Sequence, residues 1–243
     1  MTTKATIIIG ANSEIAKSIA SQVIQNAQKQ LFVVSRDVLF YQQSQFTGCE
    51  VIAVNDYQEN SIIDAVNTIK NKLSVPIEQI YICHGILHCD DFMPEKRLQS
   101  FSKDTFIDVL NINTITPILW LKNLMPLIKK EQCKVVVFSA RVGSINDNQF
   151  GGWYSYRASK AALNMLLKSA AIELAVTAKG IKLISFHPGT TDTPLSKPFQ
   201  KHVPEDKLFT SDFVASQLLK IVPEVSVDGT LSFIDWQGKP IPW

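Results

Sequence analysis

Short, continuous runs of β-branched and apolar residues recur along the chain with longer amphipathic stretches between them. The runs lie at residues 5–9, 31–34, 51–54, 79–83, 134–138, 182–186 and 230–234. The intervening helical stretches lie near residues 13–26, 60–73, 103–129, 154–178 and 211–222. In the first of these, Ile15, Ile19, Val23 and Ala27 recur every fourth residue, a stripe that faces a core. A strand that is apolar on every residue must be covered on both faces, and strands that alternate with helices pair in parallel. The expected architecture is an α/β fold: one doubly wound domain over residues 1–243, with a seven-stranded parallel sheet and helices on both faces. The 243 residues, 46% hydrophobic and 19% charged, fit a single large domain of this kind.

Charge and composition exclude several classes. A net charge of +2 gives no broad electrostatic case for nucleic acid or for an anionic membrane. No stretch approaches the roughly 18 uninterrupted apolar residues of a membrane span. The first apolar run is too short for a signal segment and runs straight into Gly10. The four cysteines fit no disulfide framework in a chain of this size, so reduced thiols and a cytoplasmic setting are expected. Cys83, His84, His88 and Cys89 form a tempting cluster. A structural zinc site needs four convergent ligands, whereas a cysteine at a strand end packs as a small hydrophobe, so no metal is expected. Residues 190–210 show no regular pattern and read as a loop or lid.

The chemistry gathers at Y-R-A-S-K, residues 156–160. Tyr156 and Lys160, four apart on a helix, share a face. A phenol of reference pKa about 10 becomes a usable acid or base near neutrality when an ammonium favours its ionised form. Tyr154, six residues before Lys160, points well away from it. The pair stands in the first turns of a helix that follows a buried strand, where α/β enzymes carry their chemistry. At the other end of the chain, G-A-N-S-E-I-A (10–16) joins the first strand to the first helix. Gly10 supplies a tight bend, Asn12 and Ser13 offer donors and a cap, and the helix N-terminus suits an anion. Glu14 is expected to point outward, because a carboxylate beside pyrophosphate would repel it. Ser35 and Arg36 end the second strand. An acidic residue there would take the ribose 2′-hydroxyl of NAD; an arginine suits a 2′-phosphate and favours NADP(H), with NAD(H) the alternative. His187 has a catalytic reading and a commoner one, a packed strand residue.

Together these motifs resemble the short-chain dehydrogenases/reductases over essentially the whole chain. Asn113 in L-N-I-N-T looks like the family's helix asparagine, and Pro188-Gly189 like its Pro-Gly motif. The stretches S-A-R-V-G-S-I, G-G-W-Y-S-Y-R-A-S-K and H-P-G-T-T-D-T-P are similar to the branch named after C-factor, which also resembles small carbonyl reductases. The resemblance implies a Rossmann fold, a nicotinamide cofactor and reversible hydride transfer between alcohol and carbonyl. Tyr156 would then protonate the carbonyl oxygen, Lys160 would bind the nicotinamide ribose and tune Tyr156, and Asn113 would hold a water. Thr193 would bind the carboxamide, beside Pro188, Gly189 and Thr191. Ile15, Asn55, Asp56, His84 and Gly85 complete the implied cofactor contacts.

Three departures stand out. The family's substrate-orienting serine is replaced by Ala140, and either Ser139 or Ser144, or neither, takes its role. I-C-H-G (82–85) puts His84 where the family has a small residue. The phosphate turn lacks its later glycines. The implied function is an NADPH-dependent reductase of aldehydes or ketones. The alternative is a C-factor-like signalling or sensor protein that binds the cofactor with little turnover. Phe150, Trp153, Leu195 and Phe199 are expected to line a pocket for a medium-sized hydrophobic carbonyl compound. The family pairs its subunits through the helices at 103–129 and 154–178, which implies a homodimer or homotetramer.

Overall fold

The structure, a computed structural model, describes residues 4–26 and 29–243. Seven strands form one sheet: β1 (Lys4–Ile9), β2 (Lys29–Ser35), β3 (Glu50–Ala53), β4 (Ile77–Ile82), β5 (Cys133–Phe138), β6 (Ile181–His187) and β9 (Ser232–Asp235). Their order is β3-β2-β1-β4-β5-β6-β9, and every pairing is parallel. Two further strands, β7 (Thr190–Thr191) and β8 (Leu208–Phe209), pair with each other outside it.

The continuous apolar runs are explained by how the sheet divides its side chains. Successive strand residues point to opposite faces. Ile7 and Ile9, Phe32 and Val34, and Val135 and Val137 therefore enter one core. Ile8, Leu31, Val33 and Val136 enter the other. Helices α2 (Glu59–Lys72), α4 (Thr116–Ile128) and α5 (Tyr154–Thr177) cover the first face; α1 (Glu14–Val23) and α6 (Ser211–Glu224) cover the second. The α1 stripe is real: Ile15, Ile19 and Val23 are buried, each burial worth roughly 1.5–3 kcal/mol. Ala27, the last member expected of that stripe, lies outside the described residues.

Two expectations need correction. The helix expected over 103–129 is interrupted: α3 (Lys103–Leu110) passes through a π-helical turn, Asn111–Ile115, before α4 begins. A π turn inserts one extra residue into the ladder and re-aims what it carries, and such turns concentrate at functional sites. Here it carries Asn113. The segment 190–210 is not structureless. It holds β7, β8 and 3-10 turns at Lys197–His202 and Glu205–Lys207, and the Asp192 amide donates to the Phe209 carbonyl at 2.8 Å. Main-chain pairing between two distant pieces of the loop supplies the order that its sequence does not advertise.

The strand order reverses direction between β1 and β4. The crevice beyond their carboxyl ends is where an open α/β sheet binds a ligand. Gly10, Cys83, His84 and Gly85 all lie there. Among the described residues no helix is long and apolar enough to cross a membrane.

Candidate active site

Tyr156 sits in the first turn of α5 and is 9% exposed. It packs with Leu87 and Ala140, and Val142, Trp153, Leu195 and Phe199 close around them. Tyr154 is 37% exposed and lies outside this cluster, as its spacing requires. Lys160, one turn further along α5, is buried. Its Nζ lies 5.9 Å from the centre of the Tyr156 ring and donates to the Phe138 carbonyl at 2.8 Å. A Cβ placed on Gly85 would lie 3.7 Å from that Nζ and 3.9 Å from both Asn113 Oδ1 and Leu195 Cδ1. Gly85 therefore lies at the corner where the β4 loop, the π turn, α5 and the Leu195 segment converge.

Asn113 is fully buried, and its amide is committed. Oδ1 accepts from the Ile86 amide at 2.7 Å; Nδ2 donates to the Ile86 carbonyl at 2.9 Å and to Ser159 Oγ at 3.1 Å. Ser159 Oγ donates in turn to the Tyr156 carbonyl at 2.8 Å. The π turn, the β4 loop and the start of α5 are thus tied together by one polar network. Satisfied networks of this kind hold a site rigid.

The electrostatics differ from the expectation for a Tyr–Lys pair. Burial pushes the Tyr156 phenol up to about 12 and the Lys160 ammonium down to about 7. Removing water disfavours the charged form of each group, and at this separation that cost exceeds the attraction of ammonium for phenolate. At neutral pH the phenol keeps its proton.

The serines separate clearly. Ser139 Oγ donates to Asn164 Oδ1 at 2.8 Å, deep between β5, β6 and α5, where Ser185 Oγ meets the same oxygen at 2.6 Å. Ser144 Oγ accepts from the Asp147 amide at 3.1 Å and steadies its own loop. Ala140 is the residue packed with Tyr156. Strand alternation is the reason: Ser139 and Ala140 point to opposite sides.

The residues expected on the nucleotide side are placed as follows. Gly10 is left-handed (φ 71), and a Cβ there would come within 3.1 Å of His84 Nδ1. Ser13 caps α1 by accepting from the Ala16 amide at 3.2 Å, and Asn12 is exposed beside it. Glu14 turns outward to Lys17 at 2.9 Å, and Ile15 packs into the α1 core. The Ser35 hydroxyl donates to the Asp37 carbonyl at 2.6 Å. Arg36 does not pair with Asp37: its guanidinium lies over the Tyr57 ring at 4.7 Å, and among the described residues no hydrogen bond or ion pair occupies its donors. Tyr57 had no signal in the sequence beyond its position after Asn55 and Asp56. Both of those are exposed, and hydrogen bonds from the Ser61 side chain and the Gln58 amide hold the Asp56 carboxyl below its usual range.

His84 is buried edge-on to Tyr57, with ring centres 5.2 Å apart. Burial and the nearby Lys160 and Arg36 charges lower it to about 3, so it is neutral. Cys83 enters the core, whereas His88 Nε2 lies 3.2 Å from the Leu195 carbonyl, so these two side chains do not converge. His187 ends β6 with burial lowering it to about 4. Gly189 is left-handed (φ 74), and a Cβ on it would meet Phe209 at 2.7 Å. Thr191 is buried; Thr193 is half-buried and accepts from the Lys197 amide at 3.0 Å. Of the expected pocket residues, Trp153, Leu195 and Phe199 gather at Tyr156, while Phe150 is 94% exposed and does not join them. The sequence offered no sign of Glu95, which is buried against Ser155 sixty residues away.

The Gly10 turn, Arg36 and Gly85 follow the ends of β1, β2 and β4, at the edge of the sheet where an open α/β fold binds its ligand. The comparisons agree with this architecture. A dehydrogenase of Rhodococcus sp. (strain AD45), 1-hydroxy-2-glutathionyl-2-methyl-3-butene dehydrogenase, is 28% identical over 237 residues, 98% of each chain. The C-signal protein of Myxococcus xanthus is 28% identical over 133 residues, 54% of this chain and 75% of that one. Among solved structures, the carbonyl reductase Sniffer of D. melanogaster superposes with a TM-score of 0.84 at 20% identity, covering 99% of this chain and all of the other. An NADPH-bound carbonyl reductase from chicken fatty liver reaches 0.83 at 21% identity, with both chains covered in full. The profile described as short chain dehydrogenase matches residues 4–204. The chain therefore belongs to the short-chain dehydrogenases, oxidoreductases that act between CH–OH and C=O.

Proposed function

We propose that the protein is an NADPH-dependent reductase of aldehydes or ketones, with Tyr156 as its acid. The observation that carries this reading is the buried Tyr156 ring packed in an apolar cluster with Leu87, Ala140, Trp153, Leu195 and Phe199, with Lys160 and Asn113 anchored nearby. A phenol raised to about 12 is fully protonated at neutral pH, the state a proton donor needs for reduction. Lys160, anchored on Phe138, would offer its Nζ to a ribose hydroxyl beside Gly85. Arg36 would take the 2′-phosphate, and the helix N-terminus behind Gly10 and Ser13 would take the pyrophosphate. Thr193, beside Pro188, Gly189 and Thr191, would hold the carboxamide. The cofactor, when bound, supplies the hydride; the chain supplies position, a dry pocket and the proton. The pocket's lining is aromatic and aliphatic, which suits a medium-sized hydrophobic carbonyl compound.

Residues 1–130 would hold most of the nucleotide and residues 131–243 most of the substrate. Met165, Leu166, Ile172 and Val176 on α5 are between 42% and 77% exposed, an apolar face that fits pairing of subunits as a dimer or tetramer. Ala140 in place of a hydroxyl next to Tyr156 favours a second reading, a cofactor-binding signalling protein with little turnover. NADPH consumption across a panel of aldehydes and ketones decides between the two. Turnover supports the reductase. NADPH binding with no turnover on any substrate supports the signalling protein and overturns the reductase.

A further inference from the structure

Helix α5 begins badly, and a residue from a distant loop repairs it. Its N-cap is Trp153, which has no side-chain oxygen for the unpaired amides of the first turn. The Trp153 backbone is also left-handed, φ 52, directly after two glycines at φ 63. A bulky side chain adopts that conformation only where its surroundings hold it. Glu95 supplies both remedies. Its main-chain carbonyl accepts from the Trp153 amide. Its carboxylate accepts from the Ser155 amide at 3.2 Å through one oxygen and from the Ser155 hydroxyl through the other. Glu95 is 4% exposed and Ser155 2% exposed, so the carboxylate exchanged water for these two donors and the positive end of the helix.

The two residues that flank Ser155 in this turn matter for the site. Tyr156 follows it directly. Trp153 lies two residues before it, with its ring edge-on to Tyr156 at 6.2 Å and to Phe199 at 5.0 Å. We propose that Glu95 is a positioning residue: its carboxylate acts as an external cap that fixes the first turn of α5 and so holds Tyr156 and Trp153 in register with the pocket. This rests on the reading of Tyr156 as the acid. A donor displaced by a fraction of an ångström loses rate while cofactor binding, which uses other residues, is unaffected.

The test compares Glu95→Ala, Glu95→Gln and Ser155→Ala in the wild-type and Tyr156→Phe backgrounds. It measures kcat, KM, the NADPH dissociation constant by fluorescence, and amide hydrogen exchange along α5. Glu95→Ala is expected to lower kcat by about ten- to a hundredfold with the NADPH constant unchanged. Glu95→Gln, which retains an acceptor oxygen, is expected to recover most of that loss. In the Tyr156→Phe background Glu95→Ala should add little, because the residue acts through Tyr156. Wild-type kcat in Glu95→Ala, or an equal loss in both backgrounds, overturns the proposal. If Glu95→Ala does not fold, Ser155→Ala carries the same comparison with only the hydroxyl arm removed. If the wild type reduces no carbonyl compound, the functional reading has failed independently. Exchange then decides for Glu95: faster exchange confined to the first turn of α5 in Glu95→Gln or Ser155→Ala supports the cap, and unchanged exchange overturns it.

Discussion

Lys160 donates to the main-chain carbonyl of Phe138 at 2.8 Å, so its ammonium is pinned to the end of strand β5 while its stem lies in α5. The helix and the central strand thereby share one charged group, 5.9 Å from the centre of the Tyr156 ring. Desolvation at that junction sets the protonation of both residues.

Tyr156→Phe removes one hydroxyl and keeps the ring that packs on Leu87 and Ala140. Carbonyl reduction should fall by at least about 10²-fold, the low end for general acid catalysis, with NADPH affinity nearly unchanged. Lys160→Ala should lose a comparable factor and also bind NADPH more weakly. Steady-state kinetics on any turned-over substrate, paired with fluorescence titration, checks both. Equal rates for wild type and Tyr156→Phe would remove Tyr156 from the mechanism.

The buried lysine makes stability depend on pH. Its folded value of about 7 lies below the unfolded value of 10.5, so between these limits the unfolded chain binds a proton that the folded chain has released. Stability of the cofactor-free protein should therefore rise with pH through this window and lose that contribution as pH falls through about 7. Tyr156 acts oppositely, but only above its unfolded value of 10.0, where the folded chain keeps a proton that the unfolded chain loses. Urea unfolding between pH 7 and 8 should show a positive slope that flattens in Lys160→Met; above that window the thiols of Cys49, Cys83 and Cys133, raised by burial from their ordinary value of 9.0, work in the opposite direction. Parallel slopes in the two proteins would contradict the buried, neutralised lysine.

Arg36 lies over Tyr57, its donors unoccupied among the described residues. Arg36→Ala should weaken NADPH by about tenfold or more, the scale of a lost charge-assisted hydrogen bond, and leave NADH little changed. Direct titration with the two cofactors reads this out, and a wild type that binds NADH as tightly as NADPH would sink the assignment.

Ser139 and Ala140 should behave in opposite ways. Ser139→Ala loses a buried bond to Asn164 and should cost about 1 kcal/mol of stability with turnover preserved. Ala140→Ser places a hydroxyl in the Tyr156 cluster and should raise kcat for small carbonyl substrates. Ser144→Ala should also preserve turnover, since its hydroxyl accepts from the Asp147 amide. A large fall in kcat for Ser139→Ala or Ser144→Ala, with the fold intact, would return that serine to the substrate site.

Gly143 is pressed against α5. A Cβ there would stand 2.8 Å from both the carbonyl carbon and the Cβ of Lys160, with rigid helix backbone on the far side. Gly143→Ala should destabilise the protein by about 1–3 kcal/mol and lower kcat by shifting Lys160. Thermal unfolding and kinetics on the same preparation test it.

The fold was legible in the residue pattern because periodicity is a local property. Apolar runs such as 5–9 and 134–138 admit burial on both faces and little else, and they became β1 and β5. The spacing of Tyr156 and Lys160, and the Gly10 turn that opens α1, were legible for the same reason. What the sequence left open depended on contacts between distant segments. Ser139 and Ala140 are adjacent, and only the sheet's orientation shows which one meets Tyr156. Asn113 was visible as a residue but not as part of a π turn, nor as the side chain that joins Ile86 to Ser159, two segments distant from it in sequence. The Lys–Tyr pair suggested a lowered phenol pKa, yet burial by Leu87, Trp153 and Phe199 raised it, and burial is a property of the packed whole. Phe150 and Trp153 are three residues apart in one loop, but the left-handed turn at Trp153 sends one into the pocket and leaves the other in solvent. Glu95 and Ser155 are sixty residues apart, a separation at which no spacing rule operates, and only the tertiary fold brings that carboxylate to the start of α5.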